Sequence, residues 1–163
     1  MKVHFNTATW PMYARPQPDQ GVPVLKRFEF MSPTWIAMAR EQILRALDGK
    51  DLETLRFTIC EEFTNPPEHL RPSGAQTIGF YVRLGDGQVE VGDRPTNDAD
   101  CTIISDYADA LSVARDPEAA AADPAVMAER MAAGSLKIIG DPSAAPAVLT
   151  ELNIHKLLAP HTA

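Results

Sequence analysis

Two hydrophobic periods alternate along this chain, and the change between them separates its strands from its helices. TLRFTICEEFT (54–64) alternates at period two, the pattern of a strand with one buried face. Leu55, Phe57, Ile59 and Phe63 share that face, and Glu61 falls on it with them. NPPEHLRPSG interrupts the pattern, and TIGFYVRL (77–84) resumes it through Ile78, Phe80, Val82 and Leu84. Gly85-Asp86-Gly87 is a tight-turn signal, which makes QVEVG the returning strand of a hairpin. DCTIIS (100–105) supplies a further strand with Cys101 and Ile103 facing one way. SLKIIG (135–140) is the last, with Leu136 and Ile138 on one side and Ser135, Lys137 and Ile139 on the other.

Helical spacing governs the rest. Ser32 is placed as an N-cap, Pro33 suits the first helical position, and Gly49 can end the segment. Between them Ile36, Ala39, Ile43 and Leu47 form a stripe that Trp35 and Leu44 widen. DYADALSVARD (106–116) starts from Ser105 or Asp106 as cap and places Tyr107, Leu111 and Ala114 at helical spacing. PEAAAADP is a proline-bounded connector with room for a short helical turn. PAVMAERMAAG (124–134) reads as a helix with Met127 and Met131 one turn apart and Gly134 as its stop. DPSAAPAVLTELNIHKLL reads as one final helix with Pro142 and Pro146 in or near its first turn. Clustered strands with helices gathered around them predict an α+β domain, its helices on one sheet face.

The flanks read differently. Pro11, Pro16, Pro18 and Pro23 exclude a regular helix or central strand. Residues 1–31 therefore form a proline-rich arm, either disordered or anchored by Phe5, Trp10 and Tyr13, with VLKRFEF (24–30) a candidate short edge strand. Residues 32–158 are the expected domain and 159–163 a tail. A chain of 163 residues suits a single domain. Burying roughly 70% of its extended surface gives such a domain room for a core and a cavity.

A net charge of −7 without any basic run excludes a nucleic-acid partner. No stretch approaches the roughly 18 apolar residues of a membrane span, and the N-terminus lacks a signal-peptide core. The cytoplasm is the default location. Cys60 and Cys101 lie in apolar runs and read as reduced core thiols, with a disulfide the alternative. Neither has a second ligand at metal spacing, so no metal is expected. GxSxG, HExxH and P-loop motifs are absent, and no cofactor is expected.

ADCTIISDYADAL followed by MAERMAAGSLKIIGDPSAAPAVL resembles the sterol carrier protein 2 (SCP-2) family. The likeness runs through Ala99–Ile104, Ala133–Asp141 and Ala144–Leu152. It covers roughly residues 53–152, and Ser32–Leu47 resembles the first helix of bacterial members. The resemblance implies a small, mainly antiparallel five-stranded sheet covered by helices and enclosing an apolar tunnel. Relatives bind sterols, fatty acids, acyl-CoA or other lipids, usually without chemistry of their own. A tunnel here would draw its lining from the strand residues Phe57, Ile59, Phe63, Phe80, Val82, Ile103 and Ile138. Leu111, Met127, Met131, Leu149 and Leu152 would serve on the helices, with ordinary core filling as the alternative for each. The segment 114–126 is longer than in compact members, which points to a different entrance or lid. The C-terminal HTA is not a peroxisomal address.

Glu61 is the candidate for chemistry. A carboxylate among Phe57, Ile59 and Phe63 is costly to bury unpaired. It marks either the polar end of a cavity or a general base shifted by burial. A bulge returning it to solvent, or a pair with Arg83, are the structural alternatives. His69 in the following loop is its candidate helper. The expected partner is a hydrophobic small molecule, and homodimerisation through the arm and the 33–47 helix stays open.

Overall fold

The computed structural model describes residues 25–121 and 123–163. Five strands, β1 (Phe57–Thr64), β2 (Ile78–Gly85), β3 (Gln88–Gly92), β4 (Cys101–Asp106) and β5 (Leu136–Gly140), form one sheet in the order β3-β2-β1-β4-β5. Every pairing is antiparallel except β1 with β4, which is parallel. The β2–β3 turn uses Asp86 and Gly87, both at positive φ, as a two-residue hairpin of this hand requires.

Register decides what faces inward. Glu61 stands between Phe80 on β2 and Ile103 on β4, and Ile103 faces Ile138 on β5. The pairing from Phe57 to Phe63 is unbroken, so no bulge turns Glu61 outward. On the opposite sheet face Thr58 and Cys60 are buried. Asp100 extends the ladder there, its carboxylate accepting from the Thr58 N–H at 2.7 Å. Gly79 permits the close packing of this face, because a Cβ there would lie 2.2 Å from the Glu61 carbonyl oxygen.

Helix α1 (Pro33–Leu47) begins as its sequence dictates, with Ser32 accepting from the Trp35 N–H at 3.2 Å. Its buried face comprises Trp35, Ile36, Met38, Ala39, Ile43 and Leu47. The helix is rotated toward Met38, which leaves Leu44 in solvent. Helix α2 (Tyr107–Arg115) is capped by Asp106, and α3 (Pro117–Ala121) occupies the alanine-rich connector. Helix α4 (Pro124–Ala133) ends at Gly134 in the left-handed conformation, φ 76°.

The last segment is not one helix. Asp141 caps a single 3-10 turn at Pro142–Ala144, and α5 (Ala147–Leu152) starts only after Pro146. Asn153 then breaks the helix in a left-handed conformation (φ 45°) that asparagine tolerates better than most residues. Its side chain caps α6 (Ile154–Leu158) through the Lys156 N–H.

The core extends past both bounds of the expected 32–158 domain. Phe30 sits at the centre of an aromatic cluster, with ring centroids 4.9 Å from Trp35, 5.2 Å from Phe63 and 5.5 Å from Tyr107. Phe28 makes a single parallel bridge to Thr162 and no strand of the sheet. The Phe28 N–H donates to His161 and the Ala163 N–H to Phe28, so the final residues are stapled beside α1. The arm's predicted anchors Phe5, Trp10 and Tyr13 lie outside the described residues.

Thr162 completes this closure. The Trp35 indole N–H donates to its hydroxyl at 3.0 Å, and the hydroxyl donates to the Leu158 carbonyl at 3.0 Å. Thr162→Val keeps the shape and strands both groups, so stability should fall by about 1–3 kcal/mol. Urea unfolding should show a lower midpoint with an unchanged slope, and an unmoved midpoint would dismiss the bond as a structural tie.

Candidate functional site

Glu61 is 7% exposed and surrounded within the sheet by apolar side chains. Its partner is His155 at the start of α6, whose Nε2 lies 3.2 Å from Glu61 Oε1. The break at Asn153 is what directs α6, and with it the imidazole, at this point of the sheet. Arg83 is engaged elsewhere, with Glu90 and Asp98, on the outward face. His69 stands on the loop after β1 in an exposed contact with Glu29 at 2.7 Å. The structure does not bring it to Glu61.

Among the described residues, two sizeable cavities adjoin the Glu61–His155 pair, and a void of about 10 Å³ beside Trp35 touches it as well. The first encloses about 300 Å³ over the β4–β5 half of the sheet. Phe63, Ile103, Leu136 and Ile138 form its floor, and Ala110, Val113 and Pro117 of α2–α3 form one wall. Val126, Met127 and Arg130 of α4 form another. The second is a more open cleft of about 270 Å³ between Ile59 and Ile103 on the sheet and Ala145, Leu149 and Thr150 of the last segment. Glu61, Ile103, Asn153 and His155 border both.

Half of the candidate lining residues thus border open space. Phe63, Ile103, Met127 and Ile138 line the first cavity, and Ile59, Ile103 and Leu149 the second. Phe80 borders only a void of about 10 Å³ beside Trp35. Phe57 and Val82 are buried in the filled core, while Leu111 and Leu152 pack half-buried against it. Met131 is 49% exposed and lines neither cavity. Sequence reading missed His155 and Asn153, and on α2 it named Leu111 where Ala110 and Val113 form the wall. The available signal was that a buried Glu61 demands a cationic or donor partner, which a histidine elsewhere in the chain could have supplied.

The α4 wall of the first cavity is thinly packed. Among its described residues α4 buries none, and Val126, Met127 and Met131 are exposed. It is held at its ends, by Asp123 accepting from the Ala125 N–H and by Gly134. Among the described residues, no helix is long and apolar enough to cross a membrane.

The charge of Glu61 raises the His155 pKa above its ordinary 6.5; desolvation opposes this and the hydrogen bond to Glu61 adds to it. The imidazole keeps 39% exposure and borders both cavities. Asp109 and Arg130 are the other charged groups lining the first cavity, and the Glu118–Lys156 pair lies alongside on α3 and α6.

Neither a protein-family model nor a curated protein matches the sequence. Among solved structures, the chain is similar to the conserved hypothetical protein TT1886 of Thermus thermophilus, itself suggested to be a sterol carrier protein. The TM-score is 0.50 at 13% identity, over 85% of this chain and 96% of that one. A crystal structure of sterol carrier protein 2 matches with a TM-score of 0.49 at 16% identity, over 83% of this chain and 100% of that one. The fold is SCP-2-like, as the motif order implied.

The histidine sets the sign of a pH effect. A folded-state pKa raised above the unfolded 6.5 gives stabilisation that is full below 6.5 and is lost as pH rises through the raised value. The stability difference between the protein and its His155→Gln variant should therefore shrink across that window, measured by urea unfolding at a series of pH values. A difference that stays flat would mean the imidazole is not held protonated by Glu61.

Proposed function

We propose that this chain binds a hydrophobic small molecule, a sterol, fatty acid, acyl-CoA or other lipid, and passes it on, with α4 as the door of the site. The observation that carries the reading is the cavity of about 300 Å³ beneath α4, apolar over most of its wall, with Glu61, His155, Asp109 and Arg130 as its charged or titratable groups. That composition is the usual one for small-molecule sites, where apolar walls supply affinity and a few polar groups fix orientation. Met127 suits such a wall because its unbranched chain repacks around different ligands. The suggestion attached to TT1886, which shares the fold, supports the same class of ligand. A cytoplasmic location belongs to the same proposal.

A second reading rests on the Glu61–His155 pair, because a carboxyl and an imidazole that together face open cavities are equipped for proton transfer. Glu61→Gln separates the two readings. A carrier keeps most of its affinity, whereas an enzyme using Glu61 as base loses turnover.

Native mass spectrometry of protein purified gently from its own host should show a discrete apolar adduct, identifiable after solvent extraction. Val113→Trp, placed on the half-buried cavity wall, should reduce ligand affinity by roughly tenfold or more while the fold persists. A clean apo mass together with no binding of sterols or acyl chains would remove the carrier reading.

A further inference from the structure

The polar pair does not stand at the end of the apolar space. It stands between two cavities of comparable volume, about 300 Å³ and about 270 Å³, that share Glu61, Ile103, Asn153 and His155 as common boundary. We propose that the two cavities are one ligand site, and that it takes an elongated lipid carrying an uncharged hydrogen-bonding group, a hydroxyl or an amide, within its apolar length. This rests on the carrier reading and specifies its ligand.

Size argues first for joint use. Ligand sites commonly enclose roughly 300–1,000 Å³, so either cavity alone is at or below the lower end of that range and the pair together lies within it. Ile103 contributes to both floors, so an apolar chain lying along β4 remains in contact with protein as it passes from one to the other.

Chemistry argues for the position and charge of the ligand's polar group. Among the described residues His155 is the polar partner of the Glu61 carboxyl, and no fully buried side-chain nitrogen or oxygen lacks a hydrogen-bond partner. The remaining acceptor capacity of the carboxyl is therefore turned to the cavities it borders. A plain methylene chain crossing here would cover those lone pairs without satisfying them, which costs free energy. A ligand anion would oppose the Glu61 charge at close range, and a ligand cation would compete with His155 for it. A neutral donor adds a hydrogen bond and leaves the ion pair intact. A group at the ligand's end would reach the pair only by leaving one cavity empty.

Binding of three probes of equal chain length tests this: stearate, its mid-chain hydroxy derivative and its ω-hydroxy derivative. The mid-chain compound should bind about tenfold tighter than the other two, a difference of about 1.4 kcal/mol. Glu61→Leu should bring the ratio near unity while stearate binding persists. Thr150→Trp in the second cavity and Val126→Trp in the first, both at exposed positions, should each weaken the mid-chain compound. Equal affinity for all three probes, or indifference to Thr150→Trp, overturns the proposal and leaves the carrier reading standing. Binding of none of them removes both.

Discussion

An acidic side chain on the inward face of a central strand is the constraint around which this molecule is arranged. Glu61 cannot leave the interior, because the unbroken β1–β2 register fixes its direction, and it cannot stay unpaired there. The partner comes from far along the chain and needs a sharp change of direction to arrive. Asn153 makes that change, and the segment beyond it is anchored by buried Leu158 and by the Thr162 bond to Trp35. His155 is thus held between a break and an anchor. The anchor depends in turn on residues 28–30, which pair with the chain's last residues and place Phe30 among the core aromatics. A polar requirement in the middle of the sheet is met through contacts that join both ends of the described chain.

The two halves of the sheet are covered by different kinds of side chain, and this explains where open space lies. Over β1–β2, Phe30, Trp35, Phe63 and Phe80 fill the layer at ring-centroid spacings of 4.9–6.5 Å. Such side chains carry the largest burial of any residue and leave little room. Over β4–β5 the covering helices present Ala110, Val113, Pro117 and Met127. Small and unbranched residues do not reach across the gap between helix and sheet. The absence of aromatic side chains from the helix residues that cover β4–β5 is what distinguishes the open half of the layer from the filled one.

Local signals were legible in the sequence and long-range ones were not. The caps at Ser32 and Asp106, the left-handed stop at Gly134 and the two-residue turn at Asp86-Gly87 depend on neighbouring residues only, and each stands where its chemistry placed it. Alternation put Glu61 and Ile138 on the inward face. Period two names a face, however, and not what lies above it. Phe57 and Val82 share their face with Ile59 and Ile103, yet the first two are buried in filled core and the others border cavities. The SCP-2-like motif order identified the scaffold, but His155 was hidden because its role is created by the break at Asn153, where the apolar spacing alone runs on as one helix.

The same division of packing determines which element can move. Displacing α1 would expose Trp35, Ile43 and the cluster around Phe30, which together hold the filled half of the core. Displacing α4 would uncover the first cavity but cost the helix little burial of its own, since among its described residues none is buried and Val126, Met127 and Met131 already meet solvent. Segments with few buried apolar contacts open at free energies far below that of global unfolding. The proposed ligand route past α4 would therefore leave the Glu61–His155 pair, the sheet and the stapled chain ends in place. Rigidity around the polar pair and loose packing at α4 follow from one distribution of large and small side chains.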